Sequence, residues 1–553
     1  MPALLVAATS SDAGKSFLVA GLLRALAKAG LDVAPFKAQN MSLNSVVVPG
    51  GGAEIARVQA TQARAAGKEP CVDHNPVLLK PTGAACSQVV VKGKARWSLT
   101  AAEYHDKRTE LLGEVLGSFD ALESRHDMVV CEGAGALAEI NLREGDLANF
   151  ALLDHRAVPA VVVADIDRGG AFSSLAGTWC LLEEDRHRIA GFILNKFRGD
   201  RALLKTGIDM LEAKTGVPVL GVVPYLEDSI WEVEDSLSLV SASIASWRDP
   251  WSAGFGFRKN HSRGPVEGHS SCVATEAPRR LGGSDFLRVA VVRLPRMSNF
   301  SDLLPLALDP GISLALTTRP ADVYLADLLV LPGSKATVDD LEWLYRTGLG
   351  EVIVSRVREG RPVVGICGGY QMLAERIVDG IESACQEARG LGLLPVEFRF
   401  AAQKLLSRTV ARCPAFACDV EGFEIRYGRA FLLDRCQTDA PLFVDVVRAT
   451  GGSGGEGVEL EDGNRHIEGL ISSCVLGTSL HGLFENDLFR WGVLSWAAEA
   501  VGKSFAPSEF RFGEVIEQSL DLMGGAVEAN LNLDLIVEIA GTSRSVEARG
   551  RSR

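Results

Sequence analysis

The sequence has no apolar run near the roughly 18 residues that a membrane-crossing helix needs. Its first apolar segment, "ALLVAA", also has no basic flank before it, so it does not read as a secretory leader. A soluble, cytoplasmic protein with no membrane partner is the expectation. The chain has no surplus of basic charge either: 57 Lys and Arg stand against 70 Asp and Glu, a formal net charge of −13. A polyanion would find no electrostatic footprint, which argues against nucleic acid as a partner. There is no CxxC pair among the 11 cysteines, and the closest two, Cys413 and Cys418, have no histidine or second pair beside them. That excludes the usual zinc frameworks and leaves reduced thiols of an ordinary cytosolic enzyme. No repeat with a period of roughly 20–50 residues is visible.

What is present is a chain of 553 residues, 47% hydrophobic and with 57 glycines, too long for a single compact core. From the start to about residue 226, short β-branched runs ("LLVAA", "VAPFK", "MVVCE", "AVVVAD", "IAGFILN", "PVLGVVP") alternate with helical patterns such as "SFLVAGLLRALAKAG". Such alternation predicts a parallel sheet covered by helices. The pattern lapses over 241–286, a stretch rich in Gly, Ser, Pro and charge, and resumes at "LRVAVVRLP". The fold class expected is α/β, with two doubly wound domains. Residues 1–228 form a P-loop-type parallel sheet, 229–286 a linker or insertion, 287–541 a second sheet, and 542–553 a tail.

In "LLVAATSSDAGKSFLVAGLLRAL" a buried strand runs through a loop of small residues into an amphipathic helix. A loop of this kind wraps backbone N–H groups around phosphates at a helix N-terminus. Thr9, Asp12, Gly14, Lys15 and Ser16 are the candidate phosphate and nucleotide contacts, Lys15 for the terminal phosphates and Ser16 for the metal. A strict P-loop would have glycine at position 9, where this chain has Thr9. Glu132, ending the strand "MVVCE", is placed to share a Mg²⁺ ion with Ser16. Lys37 ends the second strand and should face the same sheet edge, where it can neutralise a transferring phosphoryl group. Asp165 and Asp167 offer further carboxylates, and Asn195, ending "IAGFILN", is expected to read a base.

The second domain carries "RPVVGICGGYQML", a strand, a GxCxG turn and a helix start. This is a thiol form of the nucleophile elbow, and Cys367 is the candidate nucleophile. His481, in "GTSLHGLFEND", is the candidate base. Backbone N–H groups of Gly333 and Ser334, in "VLPGSKAT", and of Gly368 are the expected oxyanion hole. A cysteine elbow and a phosphate loop in one chain imply a coupled reaction. The thiol releases ammonia from glutamine, while ATP activates a carboxylate that ammonia then attacks.

The loop "TSSDAGKS" resembles that of dethiobiotin synthetase-type enzymes, and "GICGGYQML" with "SLHGLF" resembles a class I glutamine amidotransferase. The blocks "PFKAQNMSLNS", "EIARVQATQARAAG", "HNPVLLKP", "EGAGALAEINLREGDLAN", "VADIDRGGAF" and "NKFRGD" are together similar to the cobyric acid synthase family. The resemblance implies glutamine and adenosylcobyrinic acid a,c-diamide as substrates, the latter amidated at four peripheral carboxylates, with ATP and Mg²⁺ as cofactors. It gives Lys15, Ser16 and Glu132 nucleotide and metal roles, and makes Cys367 the glutaminase nucleophile and His481 its base. "QNMSLNS" and "HNPVLLKP" are the expected corrin contacts. The related a,c-diamide synthase or another ATP-dependent glutamine amidotransferase is the alternative enzyme, and a nucleotide-dependent partitioning or regulatory module with an inactive glutaminase is the alternative of another class. The chain departs from the family pattern at Ala8, where glycine is usual, at His74, where methionine is expected, and at Arg426 and Tyr427, where His and Met are usual. Leu483 stands where other class I glutaminases carry the acidic partner of the histidine, and Glu485 is the substitute candidate.

Overall fold

A computed structural model describes residues 2–82, 86–226, 286–383, 385–433, 440–449 and 468–541. The tail expected over 542–553, and all of the linker expected over 229–286 except Phe286, lie outside them.

The apolar runs of the first half become six parallel strands: β1 (Ala3–Ala8), β2 (Val33–Phe36), β3 (Met128–Glu132), β4 (Ala160–Asp165), β5 (Ile189–Phe197) and β6 (Val219–Pro224). Their spatial order is β6-β5-β4-β1-β3-β2. Every residue of β1 and β4 is buried, which is why these strands read as unbroken apolar runs rather than as alternation. β1 lies between strands reached by crossovers in opposite directions, the position at which open α/β sheets collect ligands. Its loop leads into helix α1 (Lys15–Lys28).

In the second half, the core strands are β7 (Leu287–Val292), β8 (Ile312–Thr317), β9 (Leu328–Leu331), β10 (Val363–Ile366), β11 (Leu470–Ser472) and β12 (Val475–Thr478). They run in the order β8-β7-β9-β10-β12-β11, parallel as far as β12 and antiparallel at β11 and at the edge strand Ala440–Pro441. The ends of β9, β10 and β12 therefore lie side by side. Helix α2 (Gly368–Leu373) follows β10 directly.

Two features go beyond the alternating pattern. Residues Gln39–Met41, Val77–Pro81, Cys86–Val91 and Lys94–Thr100 build a separate four-stranded sheet. Val396–Cys413 and Cys418–Leu432 form a long antiparallel hairpin.

One C-terminal helix packs across the expected domain division. Helix α3 (Phe512–Asn530), placed by its sequence position in the second domain, packs instead on α1. Phe512, Ile516, Leu520, Met523 and Val527 share one core with Leu4, Val6, Leu18, Val19, Leu22 and Leu26. At about 1.5–3 kcal/mol for each fully buried large apolar side chain, this contact is a major part of what holds the first sheet's outer layer. Arg24 on α1 adds ion pairs to Glu517 at 2.8 Å and Asp521 at 2.7 Å. An amphipathic helix declares that it has an apolar face, but not which sheet will cover it.

Candidate active sites and family

The phosphate loop turns through two left-handed residues, Asp12 (φ 58°) and Gly14 (φ 94°), before α1 begins at Lys15. Lys15 Nζ donates to Gly135 O at 2.8 Å and to Ser10 O at 3.3 Å, so the lysine lies along the loop. Ser16 Oγ donates to Glu132 Oε1 at 2.8 Å. Lys37 Nζ reaches the same oxygen at 2.8 Å, and Gln62 Nε2 donates to Oε2 at 2.5 Å. Lys15, Ser16, Lys37 and Glu132, distant in sequence, are thus brought to one sheet edge. Glu132 is fully buried. Burial alone would raise its pKa, but the Lys37 charge and the three hydrogen bonds outweigh it and hold the carboxyl below its ordinary range. A hydroxyl and a carboxylate oxygen are donors that suit a hard cation such as Mg²⁺, which keeps most of its shell for water and phosphate.

Three expectations shift. Thr9 donates its N–H to Val163 O at 2.9 Å, so it still belongs to the sheet and that N–H is spent. Asn195 does not project outward to a base: its Nδ2 donates to Ala13 O at 2.8 Å, and a Cβ on Gly14 would fall 2.3 Å from that nitrogen. It props the loop from beneath, and Gly14 is what makes room for it. Asp165 accepts from Lys196 Nζ at 2.9 Å and from Asp167 N at 2.9 Å, while Asp167 pairs with Arg198 at 3.2 Å. Asp12 remains at the surface, its side chain 64% exposed.

In the second domain, Cys367 takes φ 49° and ψ −104°, a backbone strain worth about 1–3 kcal/mol. The glycines of GICGG permit it. A Cβ on Gly369 would lie 2.1 Å from Leu331 O, and one on Gly365 2.8 Å from Gly369 O. The Cys367 N–H bonds Thr478 O at 2.7 Å, fixing the thiol beside the end of β12 and His481. The two side chains line one cleft.

The acidic partner missing from the local sequence is Asp302. Its Oδ2 lies 2.6 Å from His481 Nδ1 and its Oδ1 accepts the Gly482 N–H at 2.7 Å. Burial would lower the His481 pKa, but the Asp302 carboxylate, the neighbouring Cys367 and the hydrogen bonds raise it to about 10. Phe423 holds the histidine's backbone through bonds of 3.1 and 2.9 Å, and its ring stacks on the imidazole at 5.5 Å. Glu485, the substitute candidate, pairs instead with Arg57 at 2.7 Å, joining the two domains. The one signal in the sequence is a lone carboxylate directly before the apolar run "LLPLAL".

Of the expected oxyanion donors, Ser334 and Gly368 converge: a Cβ on Gly368 would lie 2.6 Å from Ser334 N. Lys335 N bonds Arg296 O at 2.9 Å, and the register pairs Ser334 with Met297 and Gly333 with Ser298. In that alternation Ser334 points its N–H away from the partner strand, whereas Gly333 points its own toward it. Gly333 serves as space, since a Cβ there would approach His481 Cε1 to 3.2 Å.

Two family models account for most of the chain. Residues 4–238 match the CobQ/CobB/MinD/ParA nucleotide binding domain, and residues 288–489 the CobB/CobQ-like glutamine amidotransferase domain. Cobyric acid synthase of Saccharopolyspora erythraea is 46% identical over 97% of this chain and 94% of its own. Cobyric acid synthases of Nocardia farcinica and Rhodococcus jostii are 45% and 44% identical, covering 97% and 98% of this chain and 96% and 95% of theirs. The chain belongs to the cobyric acid synthase family. Nothing in these likenesses supports the regulatory-module alternative.

The positions where this member of the cobyric acid synthase family departs from the expected pattern are mostly internal. Arg426 is buried and paired with Glu424, at 2.5 Å, and with Glu468, at 3.0 Å. Tyr427 Oη accepts from Gln88 Nε2 at 3.2 Å, across the domains. His74 is buried, accepts the Cys71 N–H on Nδ1 at 3.1 Å, and is held neutral by burial, its pKa lowered to about 4. The expected corrin contacts are likewise largely committed. Asn75 bonds Lys37 O, Val77 O and Ala56 N, Asn40 bonds Gln59, and Asn44 bonds Ser301. Met41 remains 55% exposed. Among the described residues no helix is long and apolar enough to cross a membrane.

Proposed function

We propose that this protein is a cytoplasmic ATP- and glutamine-dependent amide synthase that converts carboxylates b, d, e and g of adenosylcobyrinic acid a,c-diamide to amides. The reading rests on membership of the cobyric acid synthase family. The observation that carries the chemistry is the Cys367–His481–Asp302 arrangement in the same chain as the Lys15–Ser16–Glu132 phosphate loop.

Cys367, as thiolate, attacks the side-chain amide carbon of glutamine, and the Ser334 and Gly368 N–H groups receive the developing oxyanion. His481, oriented by Asp302, gives its proton to the departing ammonia and then draws one from the water that hydrolyses the thioester to glutamate. At the other site, the substrate carboxylate attacks the γ-phosphoryl of ATP, giving an acyl phosphate and ADP. Ammonia then displaces phosphate. Lys15 and Lys37 offset charge on the transferring group. Ser16 and Glu132 would hold Mg²⁺, which supplies charge neutralisation at the phosphates.

Incubation with ATP, Mg²⁺ and glutamine, followed by mass spectrometry of the corrinoid, tests the assignment. Stepwise amides up to a hexa-amide are expected. An unchanged corrinoid with glutamine still hydrolysed would move the activity to another carboxylate.

A further inference from the structure

The cleft in front of Cys367 is walled by both domains. Beside Cys367 and His481 it is lined by Lys80 from the first domain and by Lys335, Glu382, Lys404 and Tyr427 from the second. The charges do not cancel evenly. Lys80 Nζ meets Glu54 Oε2 at 2.5 Å, and Lys404 Nζ meets Oε1 of the same carboxylate. Glu54 is 0% exposed and Lys80 4%. Lys335 is balanced by Glu382 at 2.7 Å, Arg426 by Glu424 and Glu468, and His481 by Asp302. One carboxylate thus serves two ammonium groups, those of buried Lys80 and half-buried Lys404. Removing an unmatched charge from water is costly, and burial, together with the Lys404 and Lys335 charges, pushes the Lys80 pKa down to about 7 despite Glu54. Glu382, also lining the cleft, engages Lys335 through Oε1 and accepts from no other side chain among the described residues.

We infer that Lys80 and Lys404 bind the α-carboxylate of glutamine and Glu382 its α-ammonium, so that the nucleotide-binding domain supplies part of the glutamine site. This rests on the amidotransferase reading above. With the amide carbon at Cys367, the two charged groups of the amino acid lie past a short methylene spacer. The carboxylate then supplies the anion that the paired lysines lack, and the remaining Glu382 oxygen takes the ammonium. The glutaminase would accordingly select a zwitterion, and its pocket would be incomplete without the first domain.

The test is steady-state hydrolysis by the full chain of L-glutamine, L-glutaminamide, which lacks the carboxylate, and 4-carbamoylbutanoate, which lacks the amine. Lys404→Met is expected to reduce the preference for L-glutamine over L-glutaminamide by about 10- to 100-fold, the weight of a charge-assisted hydrogen bond, with Lys404→Arg restoring most of it. Glu382→Gln should reduce the preference over 4-carbamoylbutanoate instead. If Lys404→Met folds poorly by thermal melting, Lys80→Met carries the same ratio test. Preferences that stay within about twofold of the parent, even where all rates fall together, would overturn the inference and assign the lysines a structural role. A parent enzyme that hydrolyses none of the three would sink the amidotransferase reading itself.

Discussion

Asp302 and His481, 179 positions apart, are joined by a 2.6 Å contact between Oδ2 and Nδ1, and the second Asp302 oxygen holds the Gly482 N–H. The carboxylate therefore fixes both the ring and the backbone that carries it, leaving Nε2 for the thiol. Asp302→Asn keeps the size but loses the charge and can stabilise the wrong tautomer. Glutamine-dependent turnover is expected to fall on the order of 10²- to 10⁴-fold, read as kcat of glutamate release. A fall of less than about threefold would remove Asp302 from the reaction.

The same pair sets a pH dependence. The His481 pKa is raised from 6.5 to about 10, so the imidazolium is favoured in the folded state. Its contribution to stability is fully present below 6.5 and is lost as pH rises through about 10. The alkaline limb of kcat/KM for glutamine should lie near that upper value and move to lower pH in Asp302→Asn, because burial then acts without the compensating carboxylate. A limb that stays in place would assign it to another group.

The elbow and the phosphate loop were legible because their chemistry is local: a strand, a run of small residues and a helix start within about two dozen positions. Asp302 was not, since no spacing rule relates a carboxylate in a short turn after β7 to a histidine after β12. Glu485 is near His481 in sequence, yet its carboxylate pairs with Arg57. Asn195 ends its strand as expected, but whether a strand-end amide faces a ligand or the loop above it depends on the height of that loop. Lys80 lies in the small four-stranded sheet and Glu54 in a separate two-stranded ribbon, Ser45–Val47 with Glu54–Ala56, and the helical alternation of the first half gave no reason to expect either.

The two sites divide the reaction, and variants should separate them. Cys367→Ala is expected to abolish amidation driven by glutamine while amidation driven by added ammonia persists. Lys15→Ala should abolish both, because the acyl phosphate is never formed. Corrinoid product measured with each nitrogen source distinguishes the cases. Equal loss from both nitrogen sources in Cys367→Ala would refute the division.

Arg426 lines the glutaminase pocket and pairs with two buried carboxylates, Glu424 and Glu468. Burial would raise the Glu424 pKa, but the Arg426 and Arg448 charges outweigh it and hold that carboxyl well below its ordinary range. Burial and the Glu424 charge push Glu468 up. Arg426→Met removes the buried cation and leaves the two carboxyls with Arg448 alone. A loss of about 3–5 kcal/mol is expected in denaturant unfolding, partly recovered by adding Glu424→Gln. A neutral single variant would mean that water or Arg448 compensates for the lost cation.

Gly21 and Val527 set how closely α3 approaches α1. A Cβ on Gly21 would fall 2.6 Å from Val527 Cγ2 and 2.9 Å from Met523 O. The valine methyl could rotate aside, but the carbonyl belongs to the α3 backbone, so Gly21→Ala must push the helices apart. Overpacking of this kind costs about 1–3 kcal/mol, against the modest gain that alanine brings to a helix interior. The consequence reaches the chemistry because α1 begins at Lys15 and Ser16. Hydrogen exchange should speed up across Phe512–Asn530, and KM for ATP should rise while KM for glutamine stays nearer its parent value. A variant with faster exchange but unaltered KM for ATP would show that the phosphate loop is held by Asn195 and the sheet alone, and that the C-terminal helices contribute only stability.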